Sequence, residues 1–214
     1  MTADDRSTWT VTTHDWTHDV DVAHLEGVRR ARAEYERGGR RHQILEVLAY
    51  ADEEAADQGR IGNVVVRIMS DGMVAVTDDG RGTDTRRDSL GRPVRKPVMA
   101  TADQRFFEAD APPLLPDGLP RRGISTVAAL SSWLSHENHR ADGAWSQEYR
   151  RGVPSENLHE IPSDTPTGTT VRFISELGTP AGLTADDLQG FPWLEIQYAD
   201  EMGHSHPGSW VPIS

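Results

Sequence analysis

The chain has 214 residues, enough for one domain that buries a continuous core without covalent staples. Its 36% hydrophobic and 26% charged residues fit a soluble globular protein and argue against outright disorder, although the modest hydrophobic share predicts generous loops. The absence of cysteine excludes a disulfide framework, a thiolate zinc site and a cysteine nucleophile, and the formal net charge of −12 repels phosphate backbones, so DNA binding by the surface as a whole is not expected.

The opening Met1-Thr2-Ala3-Asp4-Asp5-Arg6 lacks the basic start and apolar run of a signal peptide, and no apolar stretch is long enough to span a bilayer. A cytoplasmic protein without a membrane partner is therefore expected. Residues 1–22 are polar, show no sustained periodicity and read as a flexible arm. His14 and His18 stand four apart in it, but with no third ligand identifiable they read as solvated side chains.

Residues Leu25 to Glu36 favour a helix that Gly38-Gly39 ends. Arg29, Arg30, Arg32, Arg37, Arg40 and Arg41 form a dense basic patch here, read as a solvated face balanced by acidic neighbours. A second helix over 42–57 places Ile44, Leu48, Ala51 and Ala55 on one stripe that must face a sheet, with Gly59 as its stop. The runs Val64 to Met69 and Val74 to Thr77, separated by Ser70-Asp71-Gly72, spell a hairpin.

Residues 80–122 lose periodicity and predict a long surface excursion, within which 83–117 is expected to be a mobile loop. Order resumes with a helix over Ile124 to Leu134, where Val127, Leu130 and Leu134 share a face. Strands follow near 135–140, 144–150 and 169–175, then a short helix near 184–189, a strand near 194–198 and a tail over 201–214. His204 and His206 in that tail read as solvated. Helices and antiparallel strands alternate irregularly, which predicts an α+β fold: a two-layer sandwich whose mixed, mostly antiparallel sheet is covered by helices on one face, spanning 23–200.

Three groups of residues in this order carry the chemistry. Glu46 sits among apolar neighbours on the second helix, where desolvation can raise a carboxylate into the range of a general base; alone, such a residue is more often a half-exposed helical position. Asp78-Asp79-Gly80-Arg81-Gly82 follows a strand directly, so Asp78 can accept from an exocyclic amine while the glycines admit a ligand close to the backbone; alone, it is a turn. Thr167 to Phe173 runs from a turn into a strand whose hydroxyls could reinforce adenine recognition; alone, it is unremarkable. Between the second and third groups, Gly118-Leu119-Pro120-Arg121-Arg122-Gly123 opens a helix whose N-terminus is a natural phosphate seat.

Together these motifs resemble the GHKL (Bergerat-fold) ATPases, and within them the ATP-binding domains of DNA gyrase B and topoisomerase IV. The likeness runs from Leu25-Glu26-Gly27-Val28-Arg29 through His42 to Ala55, Val76 to Gly82, Gly118 to Leu134, Gly152-Val153-Pro154 and Thr167 to Phe173, and reaches Leu194 to Asp200. It implies ATP as ligand, Glu46 as the base that activates water, Asp78 as the reader of the adenine amino group, and Thr169 as its helper. It further implies Arg81 beside the adenine, paired with Glu54; Gly80 and Gly82 as the pocket floor; and Gly118 and Gly123 flanking the triphosphate.

The departures matter as much. Tyr50 stands where the family has a magnesium-holding asparagine, so Mg2+ coordination is in doubt and the ring can fill phosphate space; Ala49 replaces an aspartate. Asp103-Gln104-Arg105-Phe106 replaces a glycine-rich lid segment, and Pro120 removes a backbone donor, with Arg121 and Arg122 left to bind phosphate through their forks. No second domain is expected to supply the lysine contacting the terminal phosphate, and no DNA-cleaving domain, so strand passage by this chain alone is not expected. The resulting expectation is an ATP-binding protein with weak or partner-dependent hydrolysis, the alternative being a catalytically inactive relative that acts on a protein partner.

Overall fold

The computed structural model describes residues 14, 20–83, 86–87, 91, 93–94, 97–107, 109–155, 158–163, 166–178 and 182–202. Most of the expected arm, parts of the loop 83–117, the tail from 203 onward, and with them His18, His204 and His206 lie outside the described residues. No helix among the described residues is long and apolar enough to cross a membrane.

The first helix expected from the sequence is two: α1 (Val22–Arg30) and α2 (Arg32–Tyr35), broken at Ala31. Helix α1 starts earlier than expected because the Asp21 carboxylate caps it, accepting from the His24 amide at 2.8 Å. Helix α3 (Gly39–Gln58) is the long one, and it stops where Gly59 adopts the left-handed conformation at φ 63° and returns its amide to the Ala55 and Ala56 carbonyls. The hairpin forms as β1 (Gly62–Ile68) and β2 (Val74–Asp78).

After a small hairpin of β3 (Arg86–Arg87) and β4 (Pro93–Val94), a 3-10 turn at Pro97–Met99 and helix α4 (Gln104–Phe107) lead to α5 (Ile124–Ala129). The stretch 80–122 is thus only partly a surface excursion: Met99, Ala100, Phe106 and Leu115 are buried. Helix α5 ends well short of the Leu134 expected, since the chain turns at Leu130 and enters β5 (Ser131–Arg140). Leu134 is fully buried all the same, because strand alternation aims it at the core to which helical spacing had assigned it.

Strands β6 (Gly143–Arg150), β7 (Val153–Pro154), β8 (His159–Ile161), β9 (Gly168–Ser175) and β10 (Leu194–Asp200) complete an eight-stranded sheet, with α6 (Ala185–Gln189) between the last two. The order is β10-β1-β2-β9-β5-β6-β7, with β8 also on β6; β1 and β10 are parallel and the other pairs antiparallel. The two-layer α+β sandwich expected from the sequence is what forms. In β1, Val64, Val66 and Ile68 are buried while Asn63 and Arg67 are exposed, the signature of a sheet covered on one face.

Under that face Ile44, Leu45 and Leu48 of α3 and Val127 of α5 meet Val66, Val76, Val171 and Phe173 from the sheet in the main core. A second cluster of Leu25, Val28, Ala129, Leu130 and Leu177 pins α1 to α5. Thr77 pairs with Thr170 and Asn138 with Thr169 across β2, β9 and β5, and just beyond the Thr77 pair Asp78 meets Thr169 through its side chain; the site is built there, at the end of this core.

The basic patch is dispersed by folding. Arg30 pairs with Glu26, Arg32 with Glu36, and Arg41 makes a two-pronged contact with Asp187 at 2.7 and 2.8 Å; Arg40 is buried against the Met202 sulfur.

Candidate functional site

Asp78 ends β2 half-buried, and its carboxylate is gripped from three directions. The Gly80 amide donates to Oδ1 at 2.8 Å, the Thr169 amide at 3.3 Å, and the Thr169 hydroxyl donates to Oδ2. Burial raises the Asp78 pKa and these donors only partly offset it. Gly168 makes the approach possible: it sits at φ 148° with its α-carbon so close to the Asp78 carbonyl that a side chain would collide with it. Thr169 and Asp78 therefore meet because a glycine lets two strands converge.

Beside Asp78 opens a shallow cleft, walled by Ala51, Ala55, Val64 and Leu194 and edged by Glu54, Asp79 and Gly80. Glu54 and Arg81 form a two-pronged pair across its rim at 2.7 and 3.0 Å. Gly82, at φ 74°, packs against the His139 carbonyl and the Asn138 side chain, so it borders strand β5 and not the cleft. Asn138, fully buried, clamps the chain here by bonding both the amide and the carbonyl of Thr83.

Glu46 is fully buried about two turns of α3 before Glu54. Its two oxygens accept from the amides of Arg122 and Gly123, the latter at 2.9 Å, so the carboxylate holds the turn that leads into α5. The seat expected for phosphate is held by the protein's own glutamate. Glu46 also faces His42, one turn earlier on α3, at 3.4 Å, and the other ring nitrogen of His42 meets Asp117 at 2.8 Å. Burial alone would lower the His42 pKa, but hydrogen bonds to Asp117 and Glu46 push it up to about 9, leaving an imidazolium between two carboxylates. Burial likewise acts to raise the Asp117 pKa, but the bond to His42 outweighs it and holds the acid below its usual range. Gly118, at φ 75°, makes the turn that carries Asp117, and its α-carbon faces open space.

Tyr50 anchors the third assembly. Its hydroxyl donates to Asp103 at 2.9 Å and accepts from the Ile124 amide at 3.4 Å; burial, reinforced by Asp103, raises its pKa and keeps it a neutral phenol. Arg121, 6% exposed, lies over the Tyr50 and Phe106 rings with centroid distances of 4.7 and 4.4 Å and grips Glu53 with both terminal nitrogens. Arg105 makes a second two-pronged bond to Asp103, at 3.1 and 2.8 Å, and reaches Glu53. Buried His14 adds to this end through Thr101 at 3.0 Å and stands 3.8 Å from Asp103. The Arg121 fork, expected to bind phosphate, is committed to Glu53, and the Arg122 side chain turns toward the Phe106 carbonyl and the Phe107 ring.

The fold thus gathers Asp78, Thr169, Gly80, Glu54 and Arg81 around one cleft, and Glu46, Tyr50, Arg121, Arg122 and Gly123 around the start of α5. It adds His42, Glu53, Asp117 and Asn138, which the sequence did not single out, and Asp103, which the sequence marked only as part of a replaced lid segment. His42 alone had a visible signal, standing four residues before Glu46 on the same helix. The others had none, because nothing near them in the chain names their partners.

No protein-family model matches the chain. The DNA gyrase B protein of Haloferax volcanii is 31% identical to it over 170 residues, which is 72% of this chain and 25% of that protein. The DNA gyrase B protein of Staphylococcus aureus is 30% identical over 157 residues, 71% of this chain and 24% of that one. The chain therefore spans about a quarter of the length of these relatives. Among solved structures, the ATP-binding domain of topoisomerase IV of Francisella tularensis, in complex with a small-molecule inhibitor, superposes with a TM-score of 0.62 at 19% identity, covering 85% of this chain and 52% of that one. Sequence and fold agree that the chain belongs to the GHKL ATPase-domain family of DNA gyrase B and topoisomerase IV.

Proposed function

We propose that this domain binds an adenine nucleotide in the Asp78 cleft and hydrolyses ATP slowly, or only when a protein partner rearranges Glu46. The observation that carries the reading is the Asp78 carboxylate, held by Thr169 and Gly80 at the mouth of an apolar-walled cleft. Fixed in orientation and short of solvent, it is an acceptor for a ligand amine, and a new N–H donor there strengthens in the low local dielectric. Gly80 leaves the floor open, while Glu54 and Arg81 close the rim as one ion pair.

Glu46 is the candidate base, but both its oxygens are engaged by the Arg122 and Gly123 amides. Activation of water requires those bonds to be exchanged, and His42, charged and braced by Asp117, is placed to hold Glu46 during that exchange. Magnesium enters no step of this reading. A divalent cation of that size needs several small oxygen ligands in octahedral geometry, and Tyr50 offers a neutral phenol already bonded to Asp103. A cytoplasmic setting and a role without direct DNA contact accompany the proposal.

A second reading, an inactive relative that works by contacting a protein, is favoured by the packing of Tyr50, Phe106 and Arg121 against the phosphate end. The two readings part in one experiment. Isothermal titration with a non-hydrolysable ATP analogue, with and without magnesium, is expected to show binding that Asp78→Asn abolishes; no binding at all refutes the nucleotide reading. Phosphate release lost in Glu46→Gln supports slow hydrolysis, and release unchanged by it removes Glu46 from the chemistry.

A further inference from the structure

Electrostatics around the cleft bear on which part of a ligand supplies the binding energy. The groups that line it are the carboxylates of Asp78, Asp79 and Glu54, the hydrocarbon of Ala51, Ala55, Val64 and Leu194, and two donors already committed to those acids, Gln58 to Glu54 and Arg60 to Asp79. The arginines that border it are already neutralised. On the near rim Arg60 pairs with Asp79 and Arg81 with Glu54. One residue back along α3, Glu53 holds both Arg105 and Arg121, and Arg105 also holds Asp103. The amides of Arg122 and Gly123, just before α5, are occupied by Glu46, and the Ile124 amide donates to the Tyr50 hydroxyl. A polyphosphate entering here meets carboxylates whose counter-charges are spent, and each arginine it recruits must leave a partner unpaired, which offsets the attraction of the new ion pair.

We propose that the cleft recognises an uncharged, amino-bearing heterocycle of nucleobase or nucleoside size, and that phosphates contribute nothing to affinity while the Tyr50, Arg121 and Glu53 assembly stays closed. This rests on the reading of Asp78 as an acceptor for a ligand amine. Specificity comes from donor–acceptor matching: a 6-amino purine presents N–H donors to Asp78, whereas a 6-oxo purine presents an acceptor and leaves the carboxylate facing an oxygen. The Arg121–Glu53 ion pair acts as a lock, because Arg121 is buried and also packs against the Tyr50 and Phe106 rings.

Titration calorimetry of the full chain with adenosine, inosine and ATP at one ionic strength, with and without magnesium, tests this. Adenosine and ATP are expected to bind within threefold of each other, independently of magnesium, with inosine at least tenfold weaker and adenosine binding lost in Asp78→Asn. ATP binding more than tenfold tighter than adenosine overturns the proposal but leaves nucleotide binding standing. Failure of both ligands to bind overturns the nucleotide reading as well. In Glu53→Gln, which releases the Arg121 fork, ATP is expected to gain at least tenfold over adenosine. An unchanged ratio in a folded variant overturns the lock. Should that variant fail to fold, the wild-type comparison decides alone.

Discussion

Raising the pH from 6 to 9 is expected to remove about 3 kcal/mol of folding stability through His42. A histidine whose pKa rises from 6.5 to about 9 on folding binds its proton more tightly in the native state, so its stabilisation is complete below pH 6.5 and disappears as the pH climbs through 9. At about 1.4 kcal/mol per pH unit, that shift corresponds to on the order of 3 kcal/mol, most of it lost between pH 7 and 9. The structural cause is specific: the ring is 4% exposed and lies between Asp117 at 2.8 Å and Glu46 at 3.4 Å, so deprotonation leaves two buried carboxylates facing a neutral imidazole. The assay is urea denaturation at pH 6, 7, 8 and 9 in parallel with His42→Gln. Wild-type stability is expected to fall across this window, while the variant starts lower and changes little. Equal wild-type stability at pH 6 and 9, or the same slope in both proteins, would falsify the assignment of a charged His42.

Three further outcomes follow from the same geometry. Gly168→Ala places a methyl group against the Asp78 carbonyl at a φ of 148°, so a loss of about 2 kcal/mol or more in thermal melts and weakened ligand binding are expected together; a silent substitution would mean that β2 and β9 converge less closely. Glu46→Ala leaves the Arg122 and Gly123 amides without their acceptor and the buried imidazolium with only one of its two carboxylates, and is expected to destabilise the ligand-free protein by about 3 kcal/mol, read by urea melts; unchanged stability would show that Glu46 is not held as described. Tyr50→Phe removes the hydroxyl that joins Asp103 to the α5 entrance, with an expected loss of about 1–2 kcal/mol and no change in adenosine binding, checked by melts and calorimetry on one preparation.

Apolar periodicity was sufficient to place α3, the β1–β2 hairpin and the later strands, because a stripe of Ile44, Leu48 and Ala55 or an alternation such as Val64, Val66 and Ile68 has one way to be buried. It could not tell where α5 gives way to β5, since Leu134 satisfies both periods, and only the pairing of β5 with β6 and β9 resolved it. Asp78, Glu46 and Tyr50 were legible as candidates through their motifs, which are local in the chain. What Glu46 and Arg121 do was not, because their partners lie 76 and 68 residues away, in contacts that no local pattern announces. Local pattern alone was enough for an α+β sandwich and for the residue types available to a pocket. Which of those residues remain free to meet a ligand was settled by long-range packing, because Arg121 finds the Glu53 carboxylate and Arg122 turns to the Phe106 carbonyl and Phe107 ring once the loops are folded onto α3.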